Sequence, residues 1–277
     1  MLSAAAAESG TWPEIGACAV FRSVNRLIAG GAAVSGAFIQ VQTTADTSPA
    51  LADAISSSAA QACQTAGIRP AIARADGPAD LKEPTVTATV FGQPGSLFAA
   101  QPPQPGQDLL MTGFAGLTGA SRLAREHRAE LEKRFAPSYL DEIARAPELR
   151  ELQIYDAVLA AASAGAGAFY ALDDGGVNAG LWNFGEECGL GMRVRLREIP
   201  VTQVTIEICN ELDENPYELL SLGAVLMTAG NGRETADRLA EQGIEAAVIG
   251  YMTGDHDRIF QNGDNSRYMV PYKADNE

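Results

Sequence analysis

Asp173-Asp174-Gly175-Gly176 is the stretch whose residue types could most directly do chemistry. Two carboxylates beside two glycines, just ahead of a helical pattern, could offer a helix N-terminus and negative charge to a cation or an anionic ligand. The same four residues also make an ordinary N-cap with a permissive turn. Arg193, Arg195 and Arg197 recur at period two and would share one face of a strand, as a solvated outer face or as an anion site. Asp255, His256 and Asp257 carry metal-ligating groups, but adjacent residues point apart, so a surface turn is expected. His127 falls on the apolar side of a helical pattern and reads as a packed residue. Cys18, Cys63, Cys188 and Cys209 form no Cys-x-x-Cys pair and read as buried free thiols. Gly30-Gly31 and Gly113 to Gly119 lack the spacing of a P-loop or a dinucleotide fingerprint and read as helix ends and close packing.

Composition narrows the classes. The chain has 277 residues, 46% hydrophobic and 20% charged, which describes a globular protein of one large or two small domains. Aromatics are only 6%, so the core must rely on Ala, Val, Leu and Ile. The formal net charge of −15 repels phosphate backbones and anionic headgroups, so neither nucleic acid nor a membrane is an expected partner. No apolar run approaches the length needed to span a bilayer. The Ala-rich opening lacks a basic n-region, and a cytoplasmic protein is the expectation.

The elements that must position these residues follow from periodicity. The Pro/Gly-rich run between Gly92 and Gly106 divides the chain into a front domain, 1–92, a linker, 93–106, and a back domain, 107–277. In front, a helix is predicted from Ile15 to Ala29 and a strand from Ala37 to Thr43. A helix opened by Ser48-Pro49 follows, then strands at Ile68 to Ala75 and Pro84 to Phe91. Behind, strands are predicted at Asp108 to Thr112, Gly167 to Leu172, Arg193 to Glu198, Ala224 to Ala229 and Ala246 to Met252. Helices are predicted through Ala120 to Phe135, from Gly175-Gly176 to Cys188, over Thr202 to Leu212 and over Glu234 to Gln242. This interleaving argues for an α+β protein with helices layered on mixed or antiparallel sheets.

A series of short stretches carries a family likeness. They include Pro105-Gly106-Gln107-Asp108, Ala115-Gly116-Leu117-Thr118-Gly119, Asp174-Gly175-Gly176 with Leu181-Trp182, and Ile199-Pro200. Glu207-Ile208-Cys209, Asn215-Pro216-Tyr217-Glu218-Leu219-Leu220-Ser221 with Gly223, Gly243-Ile244 and Val248-Ile249-Gly250 continue it. With this series the chain resembles the aminoimidazole ribonucleotide synthase (PurM) superfamily, in its AIR synthase-related, hydrogenase maturation factor-like branch. The resemblance implies a two-domain α+β fold, a dimer built by the front domain's strands, and a cleft for ATP with magnesium. It also implies ATP-dependent activation of an amide or carbamoyl oxygen.

The chain departs from that family where cation and phosphate would be held. The family's opening Gly-Asp-Asp-Ala-type turn has no counterpart ahead of Thr11, where only an Ala-rich leader is expected. Its Asn-Asp-Leu-Ala motif reads Asn25-Arg26-Leu27-Ile28, and its Gly-Gly-His-Thr-Glu motif aligns with Ile72-Ala73-Arg74-Ala75-Asp76. The reactive C-terminal cysteine of the hydrogenase-type reaction has no match in the closing Lys273 to Glu277. The expectation is a non-catalytic or regulatory homologue with no assigned cofactor, pairing with itself or with an intact paralogue. One alternative is an ATP-dependent enzyme rewired through Asp76, Asp173 and Asp174. The other is a metal-free binder of a small anion through Arg26 or Arg74. The ligand-contacting candidates are therefore Asn25, Arg26, Arg74, Asp76, Asp173, Asp174, Gly175 and Gly176.

Overall fold

The computed structural model describes residues 1–271, in two units: Met1–Ala99 together with Leu149–Tyr155, and Ala100–Glu148 together with the residues from Asp156 onward. Lys273 to Glu277, compared above with a reactive C-terminus, lie outside the described residues. Among the described residues no helix is long and apolar enough to cross a membrane.

The first unit runs β1 (Leu2–Ser9), α1 (Ile15–Ala29), β2 (Ala33–Thr43), α2 (Pro49–Thr65), β3 (Arg69–Asp76) and β4 (Thr85–Gln93). Its sheet has the order β1-β4-β2-β3, with β2 and β3 parallel and the other pairs antiparallel. Strict alternation aims Ala37, Ile39 and Val41 of β2, and Val86, Ala88 and Val90 of β4, at the helices. There they meet Val20, Phe21, Val24 and Ile28 of α1 and Ile55, Ala59 and Ala62 of α2, all buried. Ser48 caps α2 by accepting from the Leu51 N–H at 3.2 Å, with Pro49 as the first helical residue. The unit has no helix of its own on the opposite sheet face, where Phe38 is 45% exposed among Ala5, Ala7, Thr87 and Thr89.

The opening corrects the leader expected from the sequence. Residues Leu2–Ser9 form β1 and pair with β4 along their whole length, from Leu2 opposite Gly92 to Ser9 opposite Thr85. Alanine on both faces conceals the alternation that marks a strand. What secures it is Glu8, only 6% exposed, which accepts a hydrogen bond from Arg22 Nη1 of α1 at 2.6 Å. The same nitrogen donates to the Ala7 carbonyl at 3.1 Å.

The second unit runs β5 (Asp108–Thr112), α3 (Leu117–Glu126), α4 (Arg128–Leu131), α5 (Pro137–Arg145), α6 (Tyr155–Ser163), β6 (Ala166–Ala171), α7 (Gly176–Cys188) and β7 (Gly191–Arg195). It continues with α8 (Gln203–Leu212), β8 (Val225–Ala229), α9 (Gly232–Ala240), β9 (Ala246–Thr253), β10 (Arg258–Asn262) and β11 (Asn265–Tyr268). The seven strands lie in the order β11-β10-β7-β9-β5-β8-β6, with only β7 and β10 parallel. Leu109, Met111, Val177, Leu181, Val194, Leu226 and Ile249 form the main core, and Ala120, Leu131, Leu140 and Ile208 a second one among the helices. Trp182 is half-buried, with the Arg258 guanidinium 4.5 Å from its ring centre.

Three local expectations change. The helix predicted through Ala120 to Phe135 breaks at His127, whose φ of −102° and ψ of 24° leave the helical region. His127 is consequently exposed rather than packed. The strand predicted to Glu198 ends at Arg195, and Leu196–Glu198 is a 3-10 turn, so Arg197 leaves the face that Arg193 and Arg195 share. Asp255, His256 and Asp257 do form an exposed turn. The Thr253 hydroxyl first and Arg193 next, at 2.9 Å, hold the Asp255 carboxyl below its usual range.

Because Glu8 and Arg22 are nearly buried, removing one partner strands the other charge. Glu8→Ala is expected to lower unfolding free energy in urea by about 3 kcal/mol, while the double change Glu8→Leu with Arg22→Met recovers most of that loss.

Candidate functional site

In the first unit, Asn25 sits on the buried side of α1 and is 1% exposed. Its amide nitrogen donates to the Leu152 carbonyl at 2.8 Å, and its amide oxygen accepts from the Ile154 N–H at 3.3 Å. The side chain thus engages the segment Leu149–Tyr155 as a strand's backbone would. Arg26, the next residue around the helix, is exposed. Arg74 lies on β3, the outer strand, and ties it to α2: its Nε donates to Ser56 Oγ at 2.8 Å and its Nη1 to Asp53 Oδ1 at 2.5 Å. Asp76, at the end of the same strand, is exposed. Asn25 and Arg74 hold different partners, one on the segment Leu149–Tyr155 and the other on α2.

In the second unit the glycine turns are brought together. Gly175 and Gly176 start α7 at φ values of 71° and 57°, a region that only glycine enters without strain. A Cβ on Gly176 would lie 2.4 Å from the Leu219 carbonyl oxygen. At the start of α3, a Cβ on Gly116 would lie 2.5 Å from the Pro216 oxygen. Both turns therefore press on one segment, Asn215–Gly223. A helix start has N–H groups with no partner inside the helix, and this segment supplies acceptors to both. Asn178 N–H donates to the Tyr217 carbonyl at 3.0 Å, Gly119 N–H to the Leu220 carbonyl at 2.9 Å, and Gly116 N–H to Ser221 Oγ at 2.9 Å. Thr118 Oγ1 donates to the Leu222 carbonyl at 3.0 Å, and the Ser221 N–H to the Asp173 carbonyl at 3.4 Å. Ala115 N–H adds the Pro200 carbonyl at 2.8 Å. Motifs scattered from Ala115 to Gly223 in sequence thus form one junction, in which chain oxygens occupy donors that could otherwise face an anion. Asp173 is half-buried beside it and Asp174 is exposed.

Two arginines of the second unit are committed as well. Arg195 donates to the Val248 carbonyl and Arg197 to Asn262, both at 2.9 Å. Tyr139 donates to Glu207 at 2.6 Å; burial and that carboxylate push the phenol up to about 12, while the bond holds the Glu207 carboxyl below its usual range. Burial pushes the Cys63 and Cys209 thiols up to about 11, away from nucleophilic character. Cys18 and Cys188, expected to be buried, are half-exposed. Among the described residues no three His, Cys, Asp or Glu side chains are grouped to hold a metal ion. In the first unit the candidate positions Asn25, Arg26 and Arg74 carry no carboxylate for Mg²⁺, and the Arg74 guanidinium is joined to Asp53.

Sequence reading missed three features of interest. The Glu8–Arg22 pair was hidden by the reading of the opening as a leader. The segment Leu149–Tyr155 lacks any periodic signal. A groove of about 590 Å³ in the second unit, between the turn after β5, α9 and the start of β9, gathers residues with no shared motif.

Asn25 makes a testable distinction between structure and ligand contact. Asn25→Ala leaves the Leu152 carbonyl and Ile154 N–H without their partner, and is expected to destabilise the fold by about 2 kcal/mol in urea titration. Arg26→Ala, on the exposed side of the same helix, should change stability by less than about 0.5 kcal/mol.

No family model matches the sequence, and no curated protein matches it in sequence. Solved structures do match in fold. The hydrogenase maturation protein HypE of E. coli is 18% identical, with a TM-score of 0.76 over 99% of this chain and 88% of that one. HypE in its complex with HypF gives 16% and 0.75 over 97% and 90%. Thiamine monophosphate kinase from Aquifex aeolicus gives 17% and 0.71 over 94% and 88%. With two mixed sheets, layered helices and near-complete coverage, the chain has the PurM-like fold that HypE and thiamine monophosphate kinase share.

Proposed function

We propose that this chain is a non-catalytic or regulatory PurM-like protein of the cytoplasm, in which Mg²⁺·ATP phosphoryl transfer has been lost. The observation that carries the reading is Asn25. It stands where the resembled family has an asparagine–aspartate pair, yet its amide is spent on the backbone of Leu152 and Ile154, and its neighbour is Arg26. A triphosphate in flight needs its β- and γ-oxygens bridged by a divalent ion on carboxylates, and a guanidinium at the aspartate's position repels that ion. Losing several members of one such unit together is not repaired by the rest.

The reading includes pairing with a second copy or with an intact paralogue. The sheet face of the first unit that carries Phe38, Ala5, Ala7, Thr87 and Thr89 supports it, being small, uncharged and partly apolar. HypE has been solved in a complex with HypF, so a protein partner of another kind fits the same fold.

A second reading draws on fold neighbours solved with nucleotides, HypE with ATP and a thiamine monophosphate kinase with AMPPCP and TMP. In it, Asp76, Asp173 and Asp174 serve a rewired ATP-dependent reaction. A third is a metal-free anion site at the exposed Arg26.

Calorimetric titration separates the three. Mg²⁺·ATP is expected to give no heat of specific binding at micromolar protein. Micromolar binding abolished by EDTA would establish the second reading in place of the first, and binding indifferent to EDTA but lost in Arg26→Ala would establish the third. Light scattering after size exclusion is expected to give twice the chain mass, reverting to one chain mass in Phe38→Glu, because a carboxylate buried in an apolar interface has no partner. A monomeric parent chain would remove self-pairing.

A further inference from the structure

We propose that the groove of the second unit, between α9, the start of β9 and the turn after β5, binds a small organic cation with an apolar body. Its volume of about 590 Å³ lies within the span of small-molecule sites, about 300–1,000 Å³. Ala236 and Ala240, one turn apart on α9, and Ala247 of β9 line it with short apolar side chains that have little rotamer freedom to lose. Phe114 stands at the wall, 39% exposed and in no ring contact among the described residues.

The charge at this groove is of one sign. Asp237 and Glu245 both line it, and no Lys or Arg does. Neither carboxylate has an ion pair or a side-chain hydrogen bond among the described residues, whereas Glu234 on the same helix is tied to Arg238. The two carboxylates therefore favour a cation, and the chain's overall charge of −15 raises the local concentration of any cation near it. An inorganic ion would leave the alanine wall and Phe114 unused. An ammonium carried on an aromatic or aliphatic body uses all of them, with the charge near the carboxylates and within reach of the phenyl face. This inference concerns residues outside the Asn25 region and stands or falls separately from the loss of phosphoryl transfer.

The full chain is titrated with phenethylammonium and followed by backbone amide NMR, with phenethyl alcohol and phenylpropionate as neutral and anionic matches. Saturable shifts confined to Phe114 and residues 236–247 are expected, with a dissociation constant of about 1 mM or tighter. The alcohol should bind about tenfold more weakly and the anion should not bind. Asp237→Asn with Glu245→Gln should weaken the ammonium about tenfold, and Phe114→Ala about threefold, with thermal midpoints unchanged. Should the double variant fail to fold, salt dependence in the parent chain replaces it: added salt should weaken the ammonium and leave the alcohol unaffected. Equal binding of ammonium and alcohol, shifts outside the groove, or no saturable response would overturn the proposal.

Discussion

Two helices of the second unit begin where a backbone turns through left-handed glycines, and each exposes N–H groups that the helix itself cannot satisfy. The segment Asn215–Gly223 answers both at once. Its carbonyls can reach those donors only because Gly116 and Gly176 have no Cβ. This one constraint fixes where α3 and α7 start against the segment Asn215–Gly223. At Gly116, Gly119 and Asn178 the N–H donors near the helix starts are occupied by the chain.

The first unit follows a parallel logic with a side chain in place of a loop. Asn25 acts as a piece of backbone, presenting one donor and one acceptor to Leu149–Tyr155, while Arg22 and Arg74 pin a strand each to a helix. Arg22, Asn25 and Arg74, which look chemically available in sequence, hold elements together in the fold. Buried amides and guanidinium groups must be paired, and pairing them with the chain removes them from ligand chemistry.

Much of this was legible in the residues. The helix bounds of α1, the Ser48-Pro49 start of α2, the alternation in β4 and the Gly175-Gly176 start of α7 follow from periodicity and capping chemistry that act locally. β1 was not legible, because alanine alternating with alanine carries no period, and its stability comes from Glu8 and β4, far away in sequence. The break at His127 and the end of β7 at Arg195 were hidden for a related reason: the apolar spacing runs on past both points while the backbone turns. For the candidate residues, spacing alone does not reveal that Asn25 finds its partners 127 and 129 residues later.

The path of the chain between the units carries a further consequence. Leu149–Tyr155 belongs to the first unit yet is flanked on both sides by residues of the second. No single break in the polypeptide can therefore separate the two. A fragment ending near Ala99 would keep every strand of the four-stranded sheet but leave the Asn25 amide without the Leu152 and Ile154 backbone it engages.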